Sequence, residues 1–147
     1  MRRCEATKTI LEAKKAKGLT YEKLAEVVGQ DKVWVAAAIT GQASMTESEA
    51  KALADALDLS GEIVAVLQEC PMKGSLDQTV PVDPLIYRFH EITQVYGVAM
   101  KEVIHEMFGD GIMSAIDFEI DIDRKEDPKG DRVVVTFNGK FLPYRKW

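Results

Sequence analysis

Cysteine and histidine are scarce in this chain of 147 residues, with two of each. Cys4 and Cys70 lie far apart and form no C-x-x-C pair, which argues against both a disulfide framework and a Cys-rich zinc site. His90 and His105 have no second ligand at metal spacing, although Glu91, Glu102 and Glu106 are near, so no metal centre is expected. Long apolar runs are missing too: none approaches the roughly 18 to 20 residues needed to cross a bilayer. The opening Met1-Arg2-Arg3-Cys4-Glu5 leads into a charged helix instead of an apolar signal core. A soluble, cytoplasmic protein without a membrane partner is expected. Basic residues are outnumbered, 19 Lys+Arg against 24 Asp+Glu, and the net charge of -5 creates no global field for nucleic acid. There is no Gly-rich phosphate loop after a strand and no Gly-x-Ser-x-Gly elbow, so nucleotide, dinucleotide and hydrolase chemistries lose support together.

What is present is globular: 46% hydrophobic and 29% charged residues, enough for one ordinary domain or two small ones. The first seventy residues read as five short helices. Ala6, Ile10, Leu11 and Ala13 recur at helical spacing up to Gly18. Thr20 is placed to cap a second helix with Leu24 and Val27 inward, and Gly29 ends it. Asp31 caps a third, and Thr46-Glu47-Ser48-Glu49 has the form of a capping box for a fourth. Ser60-Gly61 opens a fifth, stopped at Cys70-Pro71. Between Pro71 and Pro84 the periodicity vanishes among prolines, Gly74 and Ser75. Three segments are therefore expected: a helical region over 1–72, a linker over 73–84, and a second domain over 85–147.

Asp83-Pro84 starts a helix that the pattern carries to Gly97, and a second helical stretch covers Val98 to Phe108. After Gly109-Asp110-Gly111 the period changes. Ile116 to Asp123 alternates apolar and acidic as a half-buried strand does, Arg132 to Phe137 is a Val-rich strand, and Asn138-Gly139 signals a hairpin before Lys140-Phe141-Leu142. The expected fold is mainly α with an α+β C-terminal part: a helix pair and a three-stranded meander. The acidic ladder Asp117, Glu119, Asp121 and Asp123 lacks the glycine and turn of a calcium loop and reads as a solvated face.

The stretch from Leu19 to Ile39 resembles a helix-turn-helix of the phage-repressor kind, which would make the chain a DNA-binding regulator with a C-terminal oligomerisation domain. Its would-be reading helix is Lys-Val-Trp-Val-Ala-Ala-Ala-Ile; apart from Lys32, with Gln30 just before it, no side chain there forms the bidentate pairs that distinguish bases. Residues 1 to 79 hold 10 basic and 12 acidic groups, so the electrostatic share of affinity is absent as well. No nucleic-acid partner is expected, and a packing or assembly role is favoured.

Arg88 stands in the apolar face that contains Leu85, Phe89 and Ile92, where a guanidinium needs an anionic answer, and Glu91 lies at i+3 on the same side. One reading is a helical ion pair. The other is an Arg presented to a small anion, with Glu91 orienting it and Ser114 delivered by a glycine-bracketed turn whose backbone N–H groups approach the same anion.

The order of motifs resembles the cyanase (cyanate hydratase, cyanate lyase) family along the whole chain. It consists of the repressor-like helices, the proline-punctuated linker, Tyr87-Arg88-Phe89-His90-Glu91, the run His105-Glu106-Met107-Phe108-Gly109-Asp110-Gly111-Ile112-Met113-Ser114-Ala115-Ile116, and the ending Asn138-Gly139-Lys140-Phe141-Leu142-Pro143-Tyr144. One departure is His90, where the family pattern more often has Tyr. The resemblance implies that Arg88, Glu91 and Ser114 are catalytic. It implies joining of cyanate to bicarbonate with release of carbon dioxide and carbamate, which decomposes to ammonia. It also implies no metal or organic cofactor, and a homodecamer built from dimers with active sites between subunits.

Overall fold

The computed structural model describes residues 1–71 and 79–146. Positions 73–78 of the expected linker lie outside the described residues. Five helices come first: α1 (Arg3–Ala16), α2 (Tyr21–Val28), α3 (Lys32–Ile39), α4 (Glu47–Leu57) and α5 (Gly61–Gln68). A long helix, α6 (Pro84–Phe108), follows, and then two strands, β1 (Gly111–Lys125) and β2 (Arg132–Pro143), pair in an antiparallel sheet. One compact unit holds α1 to α5 together with Ile120–Thr136; a second holds α6 with β1 up to Glu119 and β2 from Phe137.

Local chemistry sets the helix ends. The Thr20 hydroxyl accepts from the Lys23 backbone N–H at 3.2 Å, Asp31 accepts from Val33 at 2.7 Å, and Thr46 and Glu49 make the reciprocal pair of a capping box. Gly29 closes α2 at φ 77°, a left-handed conformation that needs no Cβ. Ile10, Leu24, Val35, Ile39, Leu53 and Leu67 are fully buried at the centre of this bundle. Val28, and not Val27, turns inward from α2; Val27 is half exposed.

Arg3 ties the bundle together in a way that its place in a charged leader does not suggest. Its guanidinium donates to the carbonyls of Val66 in α5, Ala38 in α3 (2.8 Å) and Ala43 in the loop after α3 (2.9 Å), and so joins α1 to both helices near their C-terminal ends.

Two expectations for the C-terminal half are corrected. The helix pair is one continuous α6 of 25 residues, because a lone Gly97 costs only about 1 kcal/mol in a helix interior and does not break it. The meander has two strands, of 15 and 12 residues, instead of three. Asn138-Gly139 lies within β2 and does not turn the chain, since a type I′ hairpin needs φ > 0 at both positions and neither shows it. The turn falls earlier, at Asp127-Pro128-Lys129-Gly130. There Gly130 N–H donates to the Asp127 carbonyl at 2.9 Å, and Gly130 adopts φ 119°.

Candidate active site

α6 carries Arg88 and Glu91 one turn apart, with Arg88 Nη1 3.5 Å from Glu91 Oε2. The pair is expected from the i,i+3 spacing, but its setting is not. Arg88 is 63% exposed and Glu91 48%, and no residue of α6 is buried within the chain. The sequence places Arg88 within an apolar face of this helix, and in the single chain Leu85, Ile92, Val95, Val103 and Met107 of α6 meet solvent. The physical reason is a shortage of cover: among the described residues the sheet has two strands, and that face stays open.

Ser114 is the opposite case. At 6% exposure it is the one polar residue in the buried set of the described residues. Its Oγ accepts from the backbone N–H of Ile116 at 3.1 Å and of Asp117 at 3.0 Å. A straight strand puts residues three apart at about 10 Å, so β1 must bend sharply through residues 114–117 for both bonds to form. The bend serves the serine: the Ile116 and Asp117 amides are directed at the hydroxyl oxygen. A hydroxyl has two acceptor lone pairs and one O–H. Both acceptors are engaged, which leaves the O–H as the group that Ser114 presents.

The segment leading to Ser114 is pinned at several points. His105 Nε2 lies 3.1 Å from the Gly111 carbonyl, His105 Nδ1 lies 3.6 Å from Asp110, and Tyr144 N–H donates to the Asp110 carbonyl at 3.0 Å. Phe108 and Phe141 stack with ring centroids 5.1 Å apart. The sequence reading weighed His105 only as a metal ligand and missed this bracing role, for which the sequence carries no periodic signal. Among the described residues no group of three or more His, Cys, Asp and Glu side chains is arranged to hold a metal ion. His90 packs its ring 5.8 Å from that of Tyr87. Among the described residues, no hydrogen bond or ion pair joins Ser114 to Arg88 or Glu91 within one chain.

On α3, Lys32 Nζ sits 3.5 Å from Asp121 and 3.7 Å from Asp123. Burial works against the charge, yet the two carboxylates outweigh it and hold the ammonium above its ordinary range. The one cation on the would-be reading helix is thus neutralised by the acidic ladder, and phosphate would have to displace those carboxylates.

Comparison with known proteins decides the affiliation. The family model described as cyanate hydratase, N-terminal, matches residues 3–71, and that of the cyanate lyase C-terminal domain matches residues 78–146. The chain belongs to the cyanate hydratase family. A cyanate hydratase of Synechocystis sp. is 60% identical over 141 residues, covering 96% of this chain and 94% of the relative. One of Dechloromonas aromatica is 56% identical over 147 residues and the full length of both. The crystal structure of cyanase from T. urticae superposes with a TM-score of 0.83 at 41% identity, covering 94% of this chain and 96% of that one. Membership in the cyanate hydratase family, together with the neutralised Lys32, leaves the regulator reading without support. Among the described residues no helix is long and apolar enough to cross a membrane.

Proposed function

We propose that this chain is a cyanate hydratase that decomposes cyanate with bicarbonate as co-substrate. The observation that carries this reading is the end-to-end likeness to cyanate hydratases at 56 to 60% identity, with Arg88, Glu91 and Ser114 in place.

The chemistry sets the requirements. Cyanate and bicarbonate are both anions, so a site must neutralise charge before it can hold a bicarbonate oxygen within reach of the cyanate carbon. The new C–O bond gives a mixed anhydride of carbonic and carbamic acids. The bicarbonate proton passes to the cyanate nitrogen, which takes up one more from solvent; the C–O bond on the bicarbonate side breaks, and carbon dioxide and carbamate leave. Carbamate takes a second proton and decomposes to ammonia and another carbon dioxide. Arg88 is the charge clamp, and its exposed guanidinium has donors free beyond its contact with Glu91. Glu91 orients Arg88 and a substrate proton. Ser114, with both lone pairs engaged by amides, acts as an O–H donor to negative charge developing on the adduct and not as a nucleophile. The reading requires no metal or organic cofactor and no nucleic-acid partner, and it places the reaction in the cytoplasm as cyanate detoxification.

The exposed Arg88 and the unburied α6 support assembly. In this reading copies join as a homodecamer built from dimers, and Arg88 and Ser114 of one site come from different subunits at an interface. Purified protein should release ammonia from cyanate only when bicarbonate is supplied, and dialysis against a chelator should leave the rate unchanged. Absence of ammonia, with salt-dependent retention of duplex DNA at sub-micromolar protein, would instead revive the regulator.

A further inference from the structure

Gly139 lies in the interior of β2, where glycine packs no side chain and weakens a strand. It does not serve a turn and does not occupy the left-handed region, so its conformation does not require glycine. Its surroundings do. A Cβ at this position would stand 2.5 Å from Met113 Cγ, 2.7 Å from the Ser114 carbonyl oxygen and 3.1 Å from Met113 Sδ. Gly111 makes a second approach of the same kind, where a Cβ would meet the Leu142 carbonyl oxygen, the Phe141 ring at 2.5 Å and Pro143 Cα at 2.9 Å. The two glycines bracket the four residues that end in Ser114, and each lets the opposite strand close in on them.

From this geometry we infer that Gly139 is a positioning residue for Ser114: the missing side chain lets β2 set the depth of the serine's main chain, and thereby the aim of its O–H. The link between the two is short. The Ser114 oxygen accepts from the Ile116 and Asp117 amides, so the hydroxyl travels with the local backbone and does not rotate free of it. A methyl group at residue 139 meets Met113 and a main-chain carbonyl. Met113 can bend aside, since its thioether stem is flexible. The Ser114 carbonyl can yield only by moving the strand, and a catalytic group tolerates displacement of only about 0.5 Å before its geometry degrades. Because the proposal rests on Ser114 being catalytic, its test must fail separately from that reading.

Gly139→Ala in the assembled protein should lower kcat by about tenfold or more, with a smaller change in the KM for cyanate, since a misaimed donor harms the transition state more than binding. Gly130→Ala supplies the matched control. It strains a turn at φ 119° with open space around it, and so should lower the thermal midpoint while leaving kcat as it is. Adding Met113→Ala to Gly139→Ala removes the flexible neighbour and leaves the carbonyl clash, and should not restore kcat. If Gly139→Ala does not assemble, the double variant is compared with Met113→Ala alone, and a kcat deficit of the same size supports the proposal. Wild-type kcat in Gly139→Ala, full rescue by Met113→Ala, parity of the double variant with Met113→Ala, or a loss of kcat in Gly130→Ala matching its loss of stability would each overturn it. Ser114→Ala separates the two claims. If it still turns over, the serine reading fails and takes the positioning with it; if it is inactive beside a fully active Gly139→Ala, only the positioning fails.

Discussion

Arg88 and Glu91 make a weak pair in the ground state. At 3.5 Å and well exposed to water, such a contact contributes at most about 1 kcal/mol to stability, so the pair is not there to hold the fold. This makes its role separable by substitution. Arg88→Lys keeps the charge and loses the planar fork that grips two oxygens at once, so turnover should fall about a hundredfold while sedimentation is unchanged. Glu91→Gln sets two effects against each other. If Glu91 has the proposed place beside two anionic substrates, removal of its negative charge should leave KM unchanged or lower it, while loss of the carboxylate proposed to orient Arg88 should lower kcat. Steady-state kinetics over both substrates reads the split. A Glu91→Gln enzyme with raised KM and normal kcat would mean that the carboxylate aids only binding.

At the scale of elements, the capping box of α4 is a device whose worth depends on charge. The Thr46 N–H donates to Glu49 Oε2 at 2.7 Å, and this bond holds the Glu49 carboxyl below its ordinary range. A carboxyl depressed in the folded state stabilises above its unfolded pKa, and that stabilisation is lost as pH falls through the folded value. Glu49→Gln should therefore melt below the wild type at pH 7, with the gap closing as pH drops below about 4, as thermal melts across pH would show. Thr46→Ala removes the hydroxyl partner and should cost about 1 kcal/mol at neutral pH. These ends were legible in the sequence because a cap is a local event: Thr20, Asp31 and Thr46 each bond an amide two or three residues on. Gly97 and Asn138-Gly139 misled for the complementary reason. Gly97 is a breaker too weak to interrupt a helix that continues on both sides of it, while Gly139 is set by what crosses it in space, and no residue near it in sequence announces the Ser114 carbonyl lying against it. Arg88, Glu91 and Ser114 enter as candidates through the family's motif, and of these the helical spacing made only the Arg88–Glu91 contact legible in advance. The bend that aims Ser114 was not legible, because it depends on a hydroxyl capturing its own strand's amides.

The whole molecule is divided in quality. The α1 to α5 bundle has a closed core, whereas α6 buries nothing and Ile116, two residues beyond Ser114, is 98% exposed. An isoleucine bare to water beside a buried catalytic candidate is hard to reconcile with a working monomer, since apolar surface of this kind forfeits about 25 cal/mol for every Å² left wet. Copies of the same chain are the proposed cover, and Ile116 and Val95 are the residues with which to test it. Because both are exposed in the single chain, Ile116→Asp and Val95→Asp should fold with the helical circular dichroism of the wild type. Wild-type protein should sediment as a particle far heavier than 16.4 kDa, and the two variants should sediment lighter, lose ammonia release together with assembly, and recover neither at high bicarbonate. A wild-type chain that stays monomeric while turning over cyanate would show that Arg88 and Ser114 complete a site without a neighbour, and the interface reading would fall.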